Sequence, residues 1–80
     1  MILDELAIKL EQIVGKGTIR CFVDNDKLIA SFTMREGLEV EVLTPQERKA
    51  LGENNFTQND LERKVFELKQ IGAANDEGYN

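Results

Sequence analysis

The side chains able to do chemistry are few and poorly placed for it. The chain has one cysteine, Cys21, and no histidine. Without histidine the commonest general base is missing, together with most nucleophilic triads and most zinc sites. Cys21 falls on the apolar side of an alternating run, and a thiol is activated only beside a base or a positive charge. Glu39 and Glu41 form a carboxylate pair two residues apart, which puts both on one open strand face with no pocket to shift their acidity. These residues predict no enzyme, no cofactor and no bound metal.

Three short motifs are incomplete. Gly15-Lys16-Gly17-Thr18 contains part of a phosphate loop. The spacing GxxxxGK[ST] is absent, and the order is helix then strand. The glycines serve better as a helix stop. Asp24-Asn25-Asp26 begins like a calcium loop, but its sixth position is Ile29, where glycine is needed. Its twelfth is Arg35, where a bidentate glutamate is needed. Asn55-Phe56-Thr57 fits a glycosylation acceptor, which matters only in a secreted chain. The start, Met1-Ile2-Leu3-Asp4-Glu5, carries acids where a signal peptide carries bases, and a lone cysteine suits a reducing compartment. A cytoplasmic location is the expectation.

The elements around these residues predict an α+β fold in the order α-β-β-β-α-α. Leu3, Leu6, Ala7, Leu10, Ile13 and Val14 make a helical stripe that ends at Gly15. Residues 18–24 alternate, with Ile19, Cys21 and Val23 on one side. A two-residue turn at Asn25-Asp26 then pairs Val23 with Leu28, Cys21 with Ala30 and Ile19 with Phe32. A three-residue loop at Arg35-Glu36-Gly37 would pair Phe32 with Val40 and Ala30 with Val42. The result is a three-stranded antiparallel meander with the first and last helices on its core face. Thr44-Pro45-Gln46-Glu47 opens a short helix with a capping box. Thr57 and Asp60 cap the last, with Leu61, Val65 and Leu68 inward. Phe66 points elsewhere, onto the short helix in this reading. One domain spans residues 1–72, and 73–80 form a polar tail expected to be disordered.

This register sets the functional expectation. On the outer sheet face it lines up Thr18, Thr33 and Glu39, then Arg20, Ser31 and Glu41, then Phe22, Ile29 and Leu43. The first two rows suit water and the third does not. Either residues 45–56 fold over it, or it docks a partner with Phe22, Ile29 and Leu43 as anchors and Arg20 and Glu41 setting orientation. The net charge of −5 is spread evenly, with eight acids and five bases in 1–43 and seven and five in 44–80. That balance favours a partner with basic surface over nucleic acid, which needs clustered Lys and Arg.

The leading expectation is a small non-enzymatic protein that binds another protein. Its size and acidity suit a modulator or inhibitor of the kind phage and mobile-element genes encode. Two alternatives remain. Residues 44–72 form a helix-turn-helix-like segment whose second helix begins Gln58-Asn59-Asp60, so nucleic-acid binding is one. A structural homodimer is the other. The order helix, three strands, helix is also that of double-stranded RNA-binding domains. The matching place for that family's lysine-rich helix start is Thr57-Gln58-Asn59-Asp60, which has no base, so the chain is not assigned to it.

Overall fold

The computed structural model describes residues 2–15 and 17–77, with 73–77 described by backbone alone. The elements are α1 (Leu3–Val14), β1 (Ile19–Asp24), β2 (Lys27–Phe32), β3 (Glu39–Glu41), α2 (Pro45–Gly52) and α3 (Gln58–Glu77). The α+β class and the element order are those read from the sequence.

α1 buries Leu6, Ala7 and Leu10, because apolar residues three and four apart share one helix face. Ile13, counted in the inward stripe, is instead 46% exposed. Gly15, at φ 112°, ends the helix in a backbone region that favours glycine. β1 and β2 then form an antiparallel hairpin in the expected register, with Ile19 opposite Phe32, Cys21 opposite Ala30 and Val23 opposite Leu28. Asn25 and Asp26 both take positive φ, 52° and 61°, as a two-residue hairpin turn demands.

The second hairpin departs from expectation by two residues. Ala30 stands opposite Val40, Ile29 opposite Glu41 and Ser31 opposite Glu39. The loop closes where the Phe32 N–H donates to the Leu38 carbonyl at 3.1 Å, so five residues, 33–37, make the connection rather than three. Thr33 supports the near end, its hydroxyl donating to the carbonyls of Gly17 and Thr18. One further ladder bond follows β3, from the Val42 N–H to the Leu28 carbonyl at 2.8 Å. Alternation then stops, since Val42 and Leu43 are both buried.

The core lies on one face of the sheet. α1 packs across β1 and β2, and α3 packs against α1. Leu61, Val65 and Leu68 of α3 join Leu51 of α2 in the same cluster as Leu28, Ala30, Phe32 and Leu43. α3 meets the sheet at Phe32, whose ring carbon lies 3.5 Å from where a Cβ on Gly72 would stand. Both capping motifs form as read. Thr44 Oγ1 accepts from the Glu47 N–H at 3.1 Å, and Thr57 Oγ1 accepts from the Asp60 N–H at 3.1 Å. α3 does not stop at Gly72; its backbone stays helical to Glu77, where a disordered tail is expected from 73. Residues 73 and 74 are both alanine, a strong helix former, which favours the extension. Residues 78–80 lie outside the described residues.

Candidate functional site

The outer sheet face keeps two members of the apolar row and loses the third. Phe22 and Ile29 are cross-strand partners, with Phe22 40% exposed and Ile29 half-buried. The third place in their row belongs to Glu41. Leu43 is 2% exposed and sits in the core, so it anchors nothing on the outer face. The break in alternation after β3 turns Leu43 inward, and a two-residue shift in register gives its place in the row to Glu41. The shift leaves every β3 side chain on its expected face but moves each one row along.

The same shift separates the two charges meant to orient a partner. Arg20 is exposed and stands opposite Ser31, whose other neighbour is Glu39. Glu41 is one row away and makes an ion pair with Arg48 of α2, Nε to Oε2 at 3.7 Å. Glu41 therefore lies beside α2, in an ion pair too long for a hydrogen bond. Nor does α2 cover the outer face. It turns Leu51 into the core, and Leu51 and Arg48 line an open surface pocket with Ile2, Leu3, Val23 and Asp26. The lid of residues 45–56, one of the two alternatives for this row, does not form over it: Leu51 and Phe56 pack with the core cluster. Phe66 is 62% exposed rather than seated on α2.

Three features escaped the sequence reading. The first is Lys64, only 6% exposed, with Nζ 2.8 Å from Glu47 Oε1 and 3.0 Å from Glu67 Oε1. Its burial opposes the charge, but the two carboxylate hydrogen bonds outweigh that and hold its pKa above the ordinary lysine value. This lysine is spent on joining α2 to α3. Arg63, beside it, pairs with Asp60 at 3.0 Å. Of the three bases of α3, Arg63, Lys64 and Lys69, only Lys69 has no ion pair among the described residues. The partners of Lys64 and Arg63 lower the positive potential a phosphate would meet.

The second is an edge plug. The Cys21 N–H donates to Glu11 Oε2 at 2.6 Å, so a side chain of α1 occupies a donor on the outer edge of β1. Cys21 itself is half-buried. Burial first, and the Glu11 charge second, push its thiol up to about 11. That environment suppresses the thiolate at neutral pH and suits a structural cysteine.

The third is a groove of about 350 Å³ between residues 40–45 and α3. Val40, Leu43, Leu68 and Ile71 form its apolar walls, with Lys64 and Glu67 beside them. The repeat that reveals it is Lys64, Glu67, Leu68 and Ile71 at helical spacing, but only the β3 register shows what they face. Compared with known proteins, the chain matches no family model, no curated protein and no solved structure. No helix among the described residues is long and apolar enough to cross a membrane.

Proposed function

We propose that this protein acts by binding another protein and carries out no chemistry of its own. One observation carries the reading. Phe22 remains 40% exposed beside Ile29, while α1, α2 and α3 all send their buried residues to the opposite face of the sheet. Arg20, Lys27, Glu39 and Glu41 ring this pair. An exposed aromatic next to a second large apolar side chain, so ringed, has the makeup of a contact centre with a polar rim. A modulator or inhibitor of a larger partner, of the phage or mobile-element kind, is the role that suits so small and acidic a chain. The reading uses a smaller anchor than the sequence implied, two apolar residues in place of three.

Affinity capture from the source cells tests it, with the Phe22→Asp, Ile29→Asp double variant run in parallel. A protein retained by the wild type and lost from the variant supports the reading, provided the variant keeps its helical circular dichroism. Equal capture by both overturns it. Light scattering across micromolar concentrations separates this role from a structural homodimer, because a dimer shows twice the chain mass, falling only on dilution below its Kd, and a monomeric modulator shows the single-chain mass throughout.

A further inference from the structure

The two edges of the sheet differ. At the β1 edge the Cys21 N–H is already taken by Glu11, and α1 packs along the strand. At the β3 edge nothing comparable occurs among the described residues. The Phe32-to-Leu38 and Val42-to-Leu28 bonds turn the backbone groups of Leu38, Val40 and Val42 toward β2. Strand alternation therefore turns the N–H and C=O of Glu39 and Glu41 outward, along the open edge of a sheet ordered β1-β2-β3. Beside that edge lies the β3–α3 groove. Its walls include Val40 and Ile71, which face the core yet stay only half-buried.

We propose that an extended segment of another protein adds to β3 as a fourth, antiparallel strand, with apolar residues in the groove and basic residues outward beside Glu39 and Glu41. This rests on the reading that the chain binds another protein, but uses a different surface. The backbone bonds would supply attachment and the alternating side chains selectivity. Charge identifies the occupant. An added strand shares its outward rows with Glu39 and Glu41, both exposed, and Glu39 has no ion pair among the described residues. Lysine or arginine in those rows is attracted, and acid is repelled. The same rule disfavours a second copy of this chain. Pairing two β3 strands would set Glu39 and Glu41 against the same carboxylates. Pairing β3 with β1 would require displacing Glu11 and α1. The acids thus guard the edge against self-association while admitting a basic strand.

Synthetic peptides of about six residues, a common strand length, provide the probe. One alternates valine and lysine; another alternates valine and glutamate. Two further copies of the lysine peptide carry backbone N-methyl groups, on the lysines in one and on the valines in the other. In antiparallel pairing the residues beside Glu39 and Glu41 turn their own N–H toward β3. The plain lysine peptide should shift the amide resonances of Glu39, Val40, Glu41, Leu68 and Ile71 and slow hydrogen exchange at Glu39 and Glu41. Methylating the lysine nitrogens should abolish this, and methylating the valine nitrogens should spare it. The Glu39→Lys, Glu41→Lys variant should lose the lysine peptide and gain the glutamate one. Absence of binding by the lysine peptide, or binding indifferent to the position of N-methylation, overturns the proposal. The Phe22→Asp, Ile29→Asp variant should still accept the strand, so loss of outer-face binding and loss of strand addition are read separately.

Discussion

Lys64 Nζ and Thr44 N–H meet at one carboxylate oxygen, Glu47 Oε1, each at 2.8 Å. The oxygen that closes the α2 capping box is thus the one that holds α3. Truncating Glu47 removes the acceptor for the Thr44 N–H, keeps the Thr44 Oγ1 cap, and leaves a buried ammonium with one partner. Glu47→Ala is expected to cost roughly 2–3 kcal/mol, chiefly from the broken buried pair. Glu67 is an exposed neighbour of Lys64 on the same helix. Glu67→Ala should therefore cost only about 0.5 kcal/mol. Urea unfolding of the two variants checks the order, and equal losses would remove Glu47 from its place as the tie between the helices.

The same site sets a pH window. Burial works to raise the Glu47 carboxyl, but hydrogen bonds from Lys64 and Thr44 outweigh it and hold the group below its ordinary 4.5. Asp60 is also lowered, first by the Thr57 backbone N–H. A lowered carboxylate stabilises the fold above its unfolded pKa, and that gain is lost as pH falls through the folded value. Lys64 has the opposite sign. Its pKa is raised above the ordinary 10.5. That stabilises the fold below the unfolded value and is lost as pH climbs through the folded one. Melting temperature should be level between these limits and fall on both sides. Glu47→Gln should flatten the acid limb, so an unchanged limb would count against this account.

Leu43 and Phe22 should respond very differently to truncation. Leu43 is fully buried in the core. Leu43→Ala opens a cavity there and is expected to cost about 2–5 kcal/mol. Phe22 is 40% exposed and packs on Ile29. Phe22→Ala should cost about 1 kcal/mol, chiefly that cross-strand contact. Similar values for the two would favour the register that places Leu43 beside Ile29 on the outer face.

That contrast shows what was legible and what was not. The β1–β2 register could be read because Asn25 and Asp26 take positive φ, and a two-residue turn of that kind admits one pairing. The β2–β3 register could not. A slip of two keeps Leu38, Val40 and Val42 inside and Glu39 and Glu41 outside, so the hydrophobic pattern is blind to it. Gly37, at φ 86°, fits the longer loop as well as the shorter one. Burial of Lys64 was hidden for another reason. A lysine beside an apolar stripe normally carries its charge to water. Only the approach of Glu47, from another helix, makes the inward position acceptable.

Gly72 offers a stabilising change. It lies inside α3, and an added Cβ would meet Phe32 at 3.5 Å, ordinary van der Waals contact. Alanine there should reduce the entropy of the unfolded chain and improve helix propensity, gaining about 0.5–1 kcal/mol. A lower melting temperature for Gly72→Ala would mean that the ring of Phe32 cannot accommodate even this contact.

Cys21 reports on the β1 edge. Its thiol is pushed to about 11 by burial and by Glu11. It should react slowly with a disulfide reagent at neutral pH and faster as pH approaches that value. Glu11→Gln removes the repelling charge but keeps a side-chain acceptor for the Cys21 N–H, so reaction at fixed pH should quicken while the fold holds. Glu11→Ala also frees the edge donor, and its Cys21 amide should exchange hydrogen faster than in Glu11→Gln. The thiol rate follows charge, and the amide rate follows the plug. If the two variants match in amide exchange, the 2.6 Å bond from the Cys21 N–H to Glu11 is not what closes that edge.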